Sequence, residues 1–104
     1  YAGNIGVAKT IVAQSASSVN ATRQDGWTAL MDAALYGYEK FGKMLLEHGA
    51  SVNTKAEDGK TALIWAAFGS GKLGKMLLEH GASVNTQAED GQTALMWAAQ
   101  SGSE

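Results

Sequence analysis

The sequence predicts an all-α solenoid in which helix-turn-helix units, joined by short hairpin loops, stack on one another. The first observation is a repeat: KMLLEHGASVNT occupies residues 43–54 and returns unchanged at 75–86, 32 positions later. The second is a helical spacing of apolar residues within each copy, and the third is that glycines recur at turn positions instead of clustering. Two short amphipathic helices cannot bury their own apolar faces, so each unit must stack on a neighbour.

The repeat divides the chain into half a unit, two whole units and another half, within a single domain. The expected boundaries are a partial unit at 1–24, whole units at 25–57 and 58–89, and a partial unit at 90–104. Before residue 25, the stretch IGVAKTIVAQSASSVNATRQ keeps a fainter version of the second half of a unit. Its register is given by a Val-Asn pair that recurs as Val19-Asn20, Val52-Asn53 and Val84-Asn85.

The first helix of each unit is predicted from a capping hydroxyl and a buried stripe. Thr28 stands where its side chain can accept a hydrogen bond from a free backbone N–H at the helix start. Leu30, Ala33 and Ala34 follow at i, i+3 and i+4, and Gly37 is expected to close the helix in the left-handed conformation. The equivalent capping residues of the later units are Thr61 and Thr93.

A second helix and a hairpin follow in each unit. Phe41, Met44 and Leu45 repeat the apolar spacing before Gly49, and Asp58-Gly59 favours a tight turn with positive φ at both residues. The turn at 69–71 should differ from its neighbour because the second unit is one residue shorter. The predicted helices lie at about 5–14, 28–36, 38–47, 61–68, 72–79 and 93–100.

Composition excludes several functional classes. The net charge of −2 and the lack of any basic run argue against a nucleic-acid partner. No apolar stretch approaches the roughly 18–20 residues of a membrane span, so no membrane association is expected. The absence of cysteine excludes disulfides and is compatible with a reducing compartment. We expect an intracellular, cytoplasmic location.

No candidate motif for catalysis, metal binding or cofactor binding lies in the structural surroundings that its chemistry requires. Residues 69–74 match G-x-G-x-x-G, but the preceding segment reads as a helix where a phosphate loop needs a strand. His48 and His80 should lie one unit apart, too far to share a metal without further ligands. Glu57-Asp58 belongs to a predicted hairpin tip and has no nucleophile beside it. We expect no catalytic residue, no metal, no cofactor and no enzymatic activity.

The repeated pattern DGxTALxxAA, followed by xxLLExGAxVN, resembles the ankyrin repeat, whose usual length is about 33 residues. The resemblance covers nearly the whole chain and is weakest over residues 1–24. Two departures from the family pattern recur in every unit. Alanine replaces the common proline at Ala29, Ala62 and Ala94, and the common histidine is replaced at Met31, Ile64 and Met96. The resemblance implies a protein-interaction module that binds through its concave face and hairpin tips.

In the family, the residue after Asp-Gly and the residues flanking the Ala-Ala pair project toward that concave face. The resemblance therefore implies protein-binding roles for Trp27, Asp32, Leu35, Tyr36, Lys60, Trp65, Phe68, Gln92 and Trp97. Tryptophan and tyrosine dominate binding hot spots, which favours an apolar patch on the partner. An alternative is that Trp65 and Trp97 merely pack between neighbouring first helices.

The expected partner is another protein or a peptide. Self-association through the uncapped ends is a further expectation, because stacking leaves an apolar face at each end of a solenoid. The alternative function is that of a structural spacer, a fragment of a longer ankyrin array without a ligand of its own.

Overall fold

The structure, a computed structural model, describes residues 6–7 and 19–101. Gly6 and Val7 are helical, and the rest of the helix predicted at about 5–14 lies outside the described residues. The helices of residues 19–101 are α1 (Ala29–Tyr36), α2 (Glu39–Glu47), α3 (Ala62–Gly69), α4 (Gly71–Glu79) and α5 (Ala94–Ser101). In this part of the chain the only β pairing is an isolated bridge between Thr22 and Thr28. The all-α prediction is confirmed.

The helices form two rows. α1, α3 and α5, the first helices of successive units, pack in sequence, while α2 packs against α4. Each first helix also packs against the second helix of its own unit, α1 on α2 and α3 on α4. Ala33, Ala34 and Ala66 are at most 1% exposed, and their small side chains let the first helices approach closely. Larger side chains complete the core, among them Leu30, Met31, Leu45, Leu63, Leu73 and Leu77.

The capping prediction holds at two of three positions. Thr28 Oγ1 accepts a hydrogen bond from the backbone N–H of Met31 at 3.3 Å, and Thr93 Oγ1 accepts a longer one from Met96 at 3.5 Å. Thr61 makes no cap bond, so the prediction is wrong there. Thr61 has the same extended backbone as Thr28 and is buried like it, so neither feature explains the missing cap bond.

The turns between the paired helices differ, as the missing residue in the second unit predicts. In the first unit Gly37 closes α1 in the left-handed region, with φ of 74°. In the second unit the extended Ser70, with φ of −154°, both ends α3 and begins α4. Ser70 Oγ accepts a hydrogen bond from the backbone N–H of Leu73 at 3.1 Å, which caps the second helix. One serine therefore replaces a longer turn.

The hairpin loops have a different geometry from the predicted one. Gly59 has φ of 80°, but no non-glycine residue of the described chain has positive φ, so Asp58 does not adopt the expected conformation. The Ala56 N–H donates to Lys60 O and the Gly59 N–H donates to Ala56 O, both at 2.9 Å. These bonds define a three-residue loop with glycine in the left-handed position. Asp58 instead accepts the Lys60 N–H through its carboxylate at 3.1 Å.

Asparagine side chains join consecutive units. Asn53 Nδ2 donates to Gly81 O at 3.2 Å, and Asn53 Oδ1 accepts from the Ser83 N–H at 2.7 Å. The same two bonds run from Asn20 to Gly49 and Ser51. Each asparagine therefore holds the chain segment that leaves the second helix of the next unit, which accounts for the recurrence of Val-Asn in the sequence.

We expect Gly69→Ala to lower the free energy of unfolding by about 1–3 kcal/mol, the usual range for overpacking. A Cβ atom at Gly69 would overlap the backbone oxygens of Leu35 and Ala34, which cannot move without shifting α1. Gly74→Ala is the matched control, because its Cβ would lie 3.5 Å from the Ala66 Cβ, an ordinary contact. In urea denaturation, the free energy of unfolding of this control should rise by up to about 1 kcal/mol, because alanine has a higher helix propensity than glycine. Equal stabilities of the two variants would contradict the close approach at Gly69.

A second prediction concerns the asparagine bridges. Asn53→Ala should destabilise the fold by about 1–3 kcal/mol, because it removes two hydrogen bonds between units. Asn85→Ala changes the equivalent residue of the next unit, which is exposed like Asn53 but lacks these two bonds among the described residues, and should leave the midpoint of urea unfolding unchanged. A similar loss for both variants would show that the inter-unit bonds are not the cause.

Candidate binding surface

The residue that follows each Asp-Gly pair lies over the first helices. Trp27 Nε1 donates to Asp32 Oδ1 in the first turn of α1. In the last unit, Gln100 Nε2 of α5 donates to Gln92 Oε1 at 3.3 Å. The hairpins therefore place their side chains along the row formed by α1, α3 and α5.

Aromatic rings from successive units touch along this row. The ring centroids of Trp27 and Trp65 lie 5.0 Å apart in an edge-to-face arrangement, with an interplanar angle of 62°. Phe68 lies 5.9 Å from Trp65 and 4.6 Å from Trp97. These separations are those of favourable aromatic pairs. We call Trp27, Trp65, Phe68 and Trp97 the aromatic strip; it runs without a break across three units.

Two cations of the chain lie over the strip. The Lys60 ammonium is 4.8 Å from the Trp65 ring centroid and 5.6 Å from that of Trp97. The same ammonium is 3.5 Å from the Asp58 carboxylate, and the Lys60 side chain is 20% exposed. The Arg23 guanidinium lies 5.5 Å above the Trp27 ring. All three cation–ring distances suit cation–π attraction, so the protein itself covers part of its tryptophan surface.

The aromatic residues differ in how much surface they leave for a partner. Phe68 is 44% exposed and Tyr36 is 62% exposed. Trp27 and Trp65 are half-buried and pack against the core. The Nε1 atoms of Trp65 and Trp97 are buried without a hydrogen-bond partner. The tryptophans therefore combine packing with partial exposure, whereas Phe68 and Tyr36 present the most accessible rings.

The structure brings most of the sequence-predicted residues together. Six of them are linked by direct contacts: Trp27, Asp32, Lys60, Trp65, Phe68 and Trp97. Tyr36 pairs instead with Tyr38, at a centroid separation of 5.7 Å and an interplanar angle of 27°. Leu35 is half-buried, and Gln92 is linked to Gln100.

Sequence reasoning missed two contributors, Arg23 and Tyr38. Arg23 pairs with Trp27 across the hairpin, since its N–H donates to Trp27 O at 3.0 Å, and this places the guanidinium near the indole. A search for residues four positions apart across an Asp-Gly turn would have found it. Tyr38 flanks Gly37, so the Tyr-Gly-Tyr sequence was the available signal.

The histidines and the glycine-rich motif, which the sequence offered as candidates for metal or phosphate binding, have structural roles. The Nδ1 atoms of His48 and His80 lie 2.8 and 2.9 Å from the carbonyls of Met44 and Met76, one turn back in their own helices. Within residues 6–7 and 19–101, no three acidic or histidine side chains come together to hold a metal. Gly69 ends α3 and Gly71 begins α4, so the glycine motif joins two helices. In the same part of the chain, no helix is long and apolar enough to cross a membrane.

Two rows of short helices, linked by glycine-containing hairpins and stacked in register, define a helical solenoid of the repeat-protein class. A family model described as "Ankyrin repeats (3 copies)" matches residues 1–88 and 56–104. The chain belongs to the ankyrin repeat family.

Individual relatives match only through a small part of their length. The mouse protein "Serine/threonine-protein kinase TNNI3K" is 35% identical over 64% of this chain and 9% of its own length. The human "NAD-capped RNA hydrolase NUDT12" is 38% identical over 64% of this chain and 14% of its own length. The similarity covers so little of these enzymes that their activities cannot be assigned to this chain.

Lys60→Ala should lower the free energy of unfolding by about 0.5–1 kcal/mol, because it removes an ammonium that lies over two tryptophan rings. Lys43→Ala removes an exposed lysine of α2 and should change the stability little. The free energy of unfolding of both variants is measured by guanidinium chloride titration, with tryptophan fluorescence as the signal. Equal effects of the two substitutions would rule out a stabilising contact between Lys60 and the strip.

Proposed function

We propose that this chain is a protein-interaction module that binds a folded protein or peptide through the aromatic strip, Tyr36 and the adjoining hairpin tips. Ankyrin repeats are protein-interaction modules, and the chain has the family's fold. The observation that carries the assignment to this face is the continuous line of rings from Trp27 to Trp97. Exposed aromatic side chains are frequent anchors of protein interfaces.

The chemistry of the face favours a partner with an apolar patch beside basic groups. Phe68 and Tyr36 offer exposed rings to apolar side chains of the partner. The hairpins beside them are rich in carboxylates, namely Asp25, Glu57, Asp58, Glu89 and Asp90. Opposite charges across an interface speed association and suppress wrong partners. Arg23 and Lys60 pair with Asp25 and Asp58, whereas the exposed Glu57, Glu89 and Asp90 are left to face the partner.

The proposal excludes catalysis, nucleic-acid binding and membrane binding as functions of this chain. It relies on the net charge of −2, on the ordinary structural roles of the histidines and on the family assignment. An intracellular, cytoplasmic setting is part of the same proposal and is compatible with the absence of cysteine.

A second proposed interaction is self-association through the carboxyl-terminal end of the stack. Its support is the exposure of large apolar side chains there: Leu95 is 77% exposed, Val84 is 54% exposed and Met96 is 48% exposed. Exposed apolar patches of this kind mark interaction surfaces in soluble proteins.

We predict that Tyr36→Ala and Phe68→Ala each weaken partner binding by about 2 kcal/mol, which corresponds to about thirtyfold in Kd. These residues carry the most accessible rings, and circular dichroism checks that each variant is folded before its affinity is measured. A partner is captured first with the intact chain as bait, and affinities are then measured by calorimetry.

Lys43→Ala is the control for this experiment, because Lys43 is exposed on α2, in the row of second helices. If this control lowers the affinity while the two aromatic variants bind normally, the proposed face is wrong. A chain that acts as a spacer would yield no partner sensitive to Tyr36 or Phe68.

A further inference from the structure

The Lys60 side chain lies in a place that is suited to any ammonium group of the same size. Its Nζ atom is 4.8 Å from the Trp65 ring centroid, 5.6 Å from the Trp97 ring centroid and 3.5 Å from Asp58 Oδ2. Aromatic rings and carboxylates both attract ammonium ions. We call Trp65, Trp97 and Asp58 the ammonium site; in this structure the chain's own lysine occupies it.

The three residues of the ammonium site are held by contacts that do not involve the Lys60 side chain. Phe68 lies 5.9 Å from the Trp65 ring centroid and 4.6 Å from that of Trp97, and so packs against both rings. Asp58 Oδ1 accepts the backbone N–H of Lys60 at 3.1 Å, a bond that every residue type except proline can make at that position. The site should therefore persist when the lysine side chain leaves it or is removed.

Lys60 is held in the ammonium site by weak interactions. Ion pairs and cation–π contacts that are open to solvent contribute little, and the side chains of Lys60 and Asp58 are 20% and 45% exposed. A lysine ammonium is carried on a flexible alkyl stem. The side chain can therefore leave for solvent while the hairpin bond from the Ala56 N–H to Lys60 O stays in place. Lys60 is an exchangeable occupant of the site.

Comparison of the units shows what it costs the fold to have tryptophans at this site. Trp65 and Trp97 occupy the position that Asp32 has in the first unit. Asp32 accepts the indole N–H of Trp27, whereas the Nε1 atoms of Trp65 and Trp97 are buried without a partner. Buried donors without acceptors destabilise a fold, and such departures from local rules are expected at functional sites. The ammonium that both rings share indicates what that function is.

The chemistry of the site favours a cation over an anion. The two indole N–H groups are buried, so an acceptor of a partner could reach neither without moving a ring. The rings themselves become accessible when a single lysine side chain moves. Asp58 repels acidic groups, and it loses its ion-pair partner if Lys60 leaves without a replacement. An incoming ammonium restores these contacts and leaves the charge of the site unchanged.

We propose that a lysine side chain of the partner protein enters the ammonium site and displaces Lys60. This inference rests on the proposed function and names the chemistry by which the aromatic strip recognises its partner. The exposed carboxylates of the hairpin tips attract basic groups to the same face. The cation over Trp27 does not mark a second such site, because Arg23 lies over one ring only and its side chain is 64% exposed.

The first experiment titrates the folded chain with n-butylammonium chloride, which has the alkyl chain and the ammonium of a lysine side chain. Nuclear magnetic resonance records the indole signals of Trp65 and Trp97. In the unmodified chain the tethered Lys60 competes with this probe, so Lys60→Ala should lower the Kd of the probe about tenfold. Lys60→Gln should give the same gain, and it introduces the residue that the next unit has at this position, Gln92.

Matched controls separate charge from apolar contact. The neutral analogue n-butanol should bind Lys60→Ala about tenfold more weakly than n-butylammonium, because it lacks the charge that the rings and the carboxylate attract. Adding Asp58→Asn to Lys60→Ala should weaken binding of the probe about twofold to fivefold, since the amide still accepts the backbone N–H but carries no charge. Lys43→Ala should bind the probe like the unmodified chain. Equal Kd values for the unmodified chain and both Lys60 variants, or for the probe and n-butanol, would overturn the proposal.

The second experiment uses the captured partner and separates this inference from the proposed function. Lys60→Ala should bind the partner more tightly, by up to about tenfold, because no internal lysine has to be displaced. Unchanged or weaker binding by Lys60→Ala overturns the exchange, and the proposed face then still stands if Phe68→Ala weakens binding. Normal partner binding by Phe68→Ala, together with the gain in probe binding by Lys60→Ala, contradicts the proposed face and supports the ammonium site alone.

Discussion

The close stacking of the first helices is the contact on which the rest of this structure depends. Ala33, Ala34 and Ala66 are at most 1% exposed, and their methyl groups set the spacing between α1, α3 and α5. A larger side chain at these positions would separate the helices. Because the spacing is small, Trp27 and Trp65 come within 5.0 Å although they lie far apart in the sequence. The candidate binding surface is therefore a product of stacking and does not exist within any single unit.

Apolar contact alone does not set the register of the stack, because the hydrophobic effect is not directional. Backbone hydrogen bonds between neighbouring hairpins supply one constraint: the Glu57 N–H donates to Asp25 O at 2.8 Å. The Glu89 N–H makes the same bond to Asp58 O at 2.9 Å. The asparagine bridges supply the other constraint, on the side where the chain leaves the second helix. Together these bonds hold the hairpins in line, so the side chains that follow Asp-Gly fall on successive first helices.

The fold could be read from the sequence because each unit repeats a local pattern with a physical cause. Helical spacing predicted α1 to within one residue, and Gly37 has the expected left-handed conformation. The geometry at Asp58 could not be predicted, since its carboxylate accepts the Lys60 N–H and supports a loop in which only glycine needs positive φ. The family resemblance identified the candidate binding surface. The position of the Lys60 ammonium over the Trp65 ring, however, depends on how the hairpin packs against α3. Sequence spacing does not encode such a contact, whereas the local pairing of Tyr36 with Tyr38 had a signal in the Tyr-Gly-Tyr sequence.

The central claim is that stacked units assemble one continuous surface of rings and cations. Nuclear magnetic resonance of the Lys60 side chain tests it most directly, because protons held over aromatic rings are shifted upfield. With the ammonium 4.8 Å from the Trp65 centroid and 5.6 Å from that of Trp97, the Lys60 methylene protons should be shifted upfield in the folded chain. The shift should disappear on unfolding in urea, while the exposed Lys43 shows none in either state. Lys60 methylene resonances at their unfolded positions in a fully folded chain would contradict the account.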